Sequence, residues 1–148
     1  MQVEHRISTR ASPAAIFAIY ADVANWHVWD PDTKRAAIDG PFCVGTRGTL
    51  TPARGSTVPM LLTEVEPGRR FTVESRLPLF RMVFEHELKP AAGATVIVHR
   101  VTLSGPLKHV IGRTLIKQLN AGLPVTLERL KRLAEAQTVR AIDANALA

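Results

Sequence analysis

Two histidines carry the clearest chemistry in this sequence. In residues 80–88, Met82, Phe84, His86 and Leu88 alternate against Arg81, Val83, Glu85, Glu87 and Lys89; in residues 95–103, Thr95, Ile97, His99, Val101 and Leu103 share one side. A period of two is the pattern of a strand with one buried face. The two strands are consecutive, so both imidazoles are expected on the more apolar face, directed inward. An imidazole titrates near neutral pH, and a pair of them could move protons or anchor a carbonyl or phenol. The competing reading is structural, a neutral ring satisfied by a backbone carbonyl or a water. Two histidines without a third, well-spaced acidic ligand do not make a zinc site.

Trp26 and Trp29 stand three residues apart on a short helical stretch and can share one face. Each offers a broad apolar surface and one N–H donor, suited to gripping a ring or chain, and equally suited to packing the helix onto a sheet. Tyr20 could donate its hydroxyl to a ligand, and on the preceding short amphipathic helix it equally reads as a packing residue. By alternation Glu74 and Arg76 fall on the polar face of their strand. Cys43 is the single cysteine, with no activating base beside it in sequence, so neither a disulfide nor a cysteine cluster can form within the chain. Gly45-Thr46-Arg47-Gly48 lacks the spacing of a phosphate-binding loop, and there is no nucleophile-elbow serine or HExxH helix. The sequence therefore assigns no catalytic residue, no metal and no cofactor.

The elements that must position these side chains follow from periodicity and punctuation. Residues 2–10 alternate with Val3, His5 and Ile7 on one side. Ser12 is an N-cap and Pro13 suits the first helical position; Asp22 can cap a second short helix that Asp30-Pro31 ends. Strands are expected over residues 34–39, 46–51, 58–65, 70–77, 80–88 and 95–103, with a bend or bulge at Gly48 and a loop over residues 90–93. About seven strands joined by short turns imply an antiparallel meander. After Ser104-Gly105-Pro106, apolar residues recur at threes and fours from Leu107 to Leu133, an amphipathic helix ending near residue 136 and expected to kink near Pro124. Residues 1–136 form a single domain in this reading and residues 137–148 a frayed tail.

At 148 residues the chain can bury a core, and 46% hydrophobic with 22% charged residues is ordinary globular composition. No apolar run is long enough to span a bilayer, and the N-terminal residues do not read as a signal peptide. With a lone cysteine, a reducing cytoplasm is the expected compartment. The net charge is +6, and between residues 106 and 140 seven Lys/Arg face only Glu128 and Glu135. Such a stripe could meet an anionic partner, but no aromatic residue interleaves it, which argues for a solvated helix face and against nucleic acid.

Residues 12–23 (SPAAIFAIYADV), 26–31 (WHVWDP), 99–107 (HRVTLSGPL) and 122–135 (GLPVTLERLKRLAE) together resemble the START/Bet v 1-like (SRPBCC) superfamily, in its polyketide cyclase/dehydrase-like branch. The resemblance covers residues 3–136. It implies an α+β helix-grip fold, in which a curved antiparallel sheet and a long C-terminal helix enclose a cavity. It also implies a small, largely apolar ligand such as a lipid, quinone or polyketide. On that expectation Phe71, Met82, Phe84, Ile97, Leu119 and Leu123 line the cavity, His86 and His99 are its polar anchors, and Trp26 and Trp29 stand near its mouth. An enzyme using the same histidines as acid and base is the alternative, and an interaction module docking through the basic helix a second one. Nothing in the residue pattern fixes an oligomeric state.

Overall fold

The structure, a computed structural model, describes residues 1–147. Alternating segments become strands β1 (Gln2–Thr9), β2 (Thr33–Ile38), β3 (Arg47–Pro52), β4 (Val58–Glu66), β5 (Arg70–Leu77), β6 (Phe80–Ala91) and β7 (Ala94–Ser104). They form one antiparallel sheet in the order β1-β7-β6-β5-β4-β3-β2. Between β1 and β2 the chain makes helix α1 (Pro13–Ala21), a 3-10 turn (Val23–Asn25) and the single turn α2 (Trp26–Trp29); helix α3 (Lys108–Leu147) follows the sheet. This is the helix-grip arrangement.

Local signals account for most boundaries. Ser12 Oγ accepts the Ala15 N–H at 3.1 Å and Pro13 opens α1. Asp22, expected to cap the next helix, instead accepts the Asn25 side-chain amide at 2.8 Å. Strand β6 runs beyond the expected residue 88, because Pro90 and Ala91 pair with Thr95 and Ala94 and the connection shrinks to a tight turn. The bulges lie between Thr33 and Arg35 and between Leu62 and Glu64 rather than at Gly48. Gly48 is needed for another reason: a Cβ there would run into the Ala37 carbonyl oxygen. Helix α3 continues through Pro124 and past residue 136 to Leu147, its turns after Thr138 exposed; Ala148 of the expected tail lies outside the described residues.

Helix α3 is held unevenly. Its C-terminal half buries Leu127, Leu130 and Ala134 against α1, α2 and the middle of the sheet. Thr126 Oγ1 donates to Asp30 Oδ1 at 3.1 Å, while the Asp32 carboxylate lies so close to Gly122 that a Cβ would not fit. The N-terminal half rests on β1 and β7, with Leu115, Ile116 and Leu119 only partly buried over Val3, Val101 and Leu103. Its start is pinned to the β5–β6 hairpin: Leu107 N–H donates to the Leu79 carbonyl at 3.1 Å, and a Cβ on Gly105 (φ +93°) would come within 2.5 Å of that same oxygen. A Gly105→Ala variant is expected to lose about 2 kcal/mol from the strained φ and the clash together. Urea unfolding measures this, and an unchanged midpoint would mean that hairpin and helix start are free to separate.

Candidate functional site

Strand register brings the chemistry together. His5, His99, His86 and Phe71 are successive partners across β1, β7, β6 and β5, one row on the concave face. The His86 and His99 rings lie 4.6 Å apart between centroids, and His86 stacks on Phe71 at 4.0 Å with their planes 2° from parallel. Helix α1 lowers Tyr20 onto this row, where its hydroxyl and His99 Nε2 share a hydrogen bond of 2.8 Å. Trp29 packs edge-on to Tyr20 at 5.8 Å and tilted on His99 at 6.2 Å; Trp26 contacts Trp29 and Phe71. Phe42, from the loop before β3, closes the cluster against Phe17 and Phe71.

Most polar atoms in this cluster are satisfied, and two are not. Trp26 Nε1 donates to the Tyr20 carbonyl at 2.8 Å, which makes Trp26 a strut between α2 and α1. Among the described residues, Trp29 Nε1 and His86 Nδ1 are buried without a partner. Leaving such a group unpaired costs on the order of 1–3 kcal/mol, so each is a site where a ligand atom or a water would be favourable. His5, at the outer end of the row, donates from Nε2 to Asn120 Oδ1 at 2.7 Å, tying β1 to α3 just before Pro124.

Burial sets the protonation states. Desolvation pushes His86 down to about 4, and pushes His99 well below its ordinary value, with the neighbouring His86 adding to the effect. Desolvation raises Tyr20 well above the usual phenol range. At neutral pH the three groups are therefore neutral, and Tyr20 and His99 are moved apart from one another and away from pH 7. On the convex face the Glu74 carboxylate is 6% exposed although alternation put it on the polar side. Arg81 first and then Arg76 hold it at about 2, and their side chains cover it.

The expected lining residues separate into two groups. Phe71 and Ile97 are fully buried in the cluster beneath α1, α2 and the C-terminal half of α3. Met82, Phe84, Leu119 and Leu123 belong to the neighbouring cluster beneath the N-terminal half, with Phe84 touching both. Around the two histidines the aromatic rings pack at centroid separations of 4.0–6.2 Å. One pocket of about 320 Å³ lies beside Arg47, Leu61, Glu74 and Arg76, and one of about 260 Å³ lies between α1, α2 and α3 beside Ile19, Val28, Trp29 and Leu133. Met82 and Phe84 are only half-buried on the concave face of a strand interior to the sheet, so solvent reaches this face beside α3.

Sequence reasoning missed the Asn120 partner of His5, the Asp30–Thr126 link and the role of Phe42. Alternation already grouped His5 with Val3 and Ile7, but all three features depend on contacts between distant segments that no local pattern records.

Among solved structures, TTHA0849 from Thermus thermophilus is similar with a TM-score of 0.73 and 16% identity, covering 93% of this chain and 99% of that one. A START superfamily protein from Mycobacterium smegmatis matches with a TM-score of 0.72 and 16% identity over 92% and 98% of the two chains. The di-domain ARO/CYC protein StfQ of the steffimycin biosynthetic pathway matches with a TM-score of 0.76 and 15% identity, over 93% of this chain and 51% of that one. At these identities the likeness is one of fold. No curated protein is significantly similar in sequence. The profile described as polyketide cyclase / dehydrase and lipid transport matches residues 1–135, nearly the whole helix-grip unit, and the chain belongs to that family within the START/Bet v 1-like superfamily.

Proposed function

We propose that this protein binds a small, largely apolar molecule carrying at least one hydrogen-bonding group, between the concave sheet and α3. The observation that carries the reading is the pair of unpartnered buried atoms, Trp29 Nε1 and His86 Nδ1, within one aromatic cluster. An apolar interior gains no stability from such atoms, whereas a phenol or carbonyl placed against either would satisfy it. Apolar ligand surface withdrawn from water, at ~25 cal/mol per Å², supplies the affinity and the polar atoms supply orientation. Entry is by the solvent-reached side of β6 at Met82 and Phe84, with Leu119 and Leu123 on α3 as the facing wall. Family membership and the name of StfQ support a polyketide-like or lipid ligand.

Binding is favoured over acid–base catalysis by the same burial. A general acid or base works best with its pKa near the operating pH. Burial moves Tyr20 up and both histidines down, away from that range.

A comparison of 2-naphthol with naphthalene tests the reading, with quenching of Trp26 and Trp29 as the signal. The phenol is expected to bind about tenfold more tightly, the value of one well-placed hydrogen bond. In a His86→Phe variant that advantage should disappear while stability at pH 7 holds or rises, since an unpaired polar atom is gone. Equal affinity for the two probes in the unaltered protein, or an undiminished preference in the variant, would refute the assignment.

A further inference from the structure

We infer that the start of α3 and the tip of the β5–β6 hairpin form a docking surface for anionic lipid membranes. The tip residue Leu79 is 64% exposed and held at φ +61°, and its carbonyl is bonded to the N–H of Leu107, the residue that leads into α3. One turn on, Val110 is 74% and Ile111 42% exposed. Three large apolar side chains thus stand in water on one edge of the molecule, close to one another through the Leu79–Leu107 and Leu107–Val110 backbone bonds.

Charge identifies the occupant. At ~100° per residue, Arg113 and Lys117 lie within about 60° of Val110 around the helix, and Lys108 stands beyond Ile111 on the other side. None of these three cations has a carboxylate partner among the described residues. From Leu88 to Leu127 the sequence contains no Asp or Glu at all. On the hairpin, the one buried carboxylate, Glu74, is already held by Arg76 and Arg81. An apolar ridge flanked by unpaired cations matches the interface of an anionic bilayer, where the ridge enters the acyl boundary and the cations meet the phosphates. No helix among the described residues is long and apolar enough to cross a membrane, so the contact is peripheral. The surface stands whether or not the interior takes a ligand, but it lies at the end of α3 that covers Met82 and Phe84.

Co-sedimentation with vesicles of phosphatidylcholine plus phosphatidylglycerol, and of phosphatidylcholine alone, tests the proposal on the full chain. Binding is expected only to the anionic vesicles. It should weaken at least about tenfold in Arg113→Glu/Lys117→Glu and by a similar factor in Leu79→Asn/Val110→Ser, all exposed positions. An Arg129→Glu/Arg140→Glu control, on the distant half of α3, should bind as before. The proposal is overturned if the protein ignores anionic vesicles, or if the control loses binding equally. It also fails if sedimentation shows a dimer that the apolar variant dissolves, which would assign the ridge to a second copy of the chain.

Discussion

Lowering the pH from 6.5 to 4.5 should remove at least about 2 kcal/mol of stability, most of it above the ordinary carboxylate range. His86 and His99 both have folded pKa values depressed by burial, His86 to about 4. Above the ordinary histidine value both states are neutral and the full stability is present. Below it the unfolded chain takes up protons that the folded chain refuses, so stability falls with pH through that window, by up to ~1.4 kcal/mol per pH unit for each ring. For His86 alone this reaches about 2 kcal/mol at pH 4.5, and His99 adds a loss of the same sign. Glu74, Glu4 and Glu135 are lowered and contribute their losses at lower pH; buried Asp30 is raised and acts in the opposite sense. Against a total of 5–15 kcal/mol for a domain of this kind, the effect brings the protein towards acid unfolding. Urea titrations at pH 7.0 and 4.5 measure it, and His86→Phe should reduce the difference by about 2 kcal/mol, the share of that ring. A pH-independent midpoint would mean that water reaches both rings.

Truncating Phe71 should have the largest single-residue effect, a loss of about 3–5 kcal/mol in Phe71→Ala. Phe71 is fully buried and contacts His86, Tyr20, Phe42 and Trp26, with ring centroids between 4.0 and 5.8 Å. Its removal leaves an apolar void beside the unpartnered His86 Nδ1, and such voids take up small aromatic molecules when they stay dry. Phenol or indole should therefore restore part of the lost stability by mass action, raising the thermal midpoint of the variant but hardly that of the unaltered protein. A loss below 1 kcal/mol would show that the cluster collapses into the space. Failure of both compounds to rescue a destabilised variant would count against this cluster as the binding region.

The contrast between these residues and the helix-grip frame shows what sequence can carry. Alternation in residues 70–77, 80–88 and 95–103 gives three central strands and, because their turns are short, their antiparallel neighbours. Ser12-Pro13 starts α1, and the threes and fours after Pro106 give α3. Each of these depends on interactions within a few residues. Placing His86 and His99 on inward faces belongs to the same class of inference, since side-chain direction in a strand is fixed by parity.

Register, packing and solvation were decided only in three dimensions. Parity does not say that His99 stands opposite His86 rather than two residues away, nor that Tyr20 descends from α1 to bond His99. The Glu74 carboxylate obeys its parity and is still covered, because Arg76 and Arg81 fold over it. Pro90 and Ala91 join β6 because Thr95 and Ala94 lie opposite, although proline itself disfavours a strand. The sequence alone determined the elements and which residues face inward, because those follow from local sterics and hydrophobic period. Only the tertiary structure decided that the inward histidines are neutral, that two buried donors or acceptors remain unpaired and that Leu79, Val110 and Ile111 remain outside the core, because burial depends on which distant segments cover each side chain.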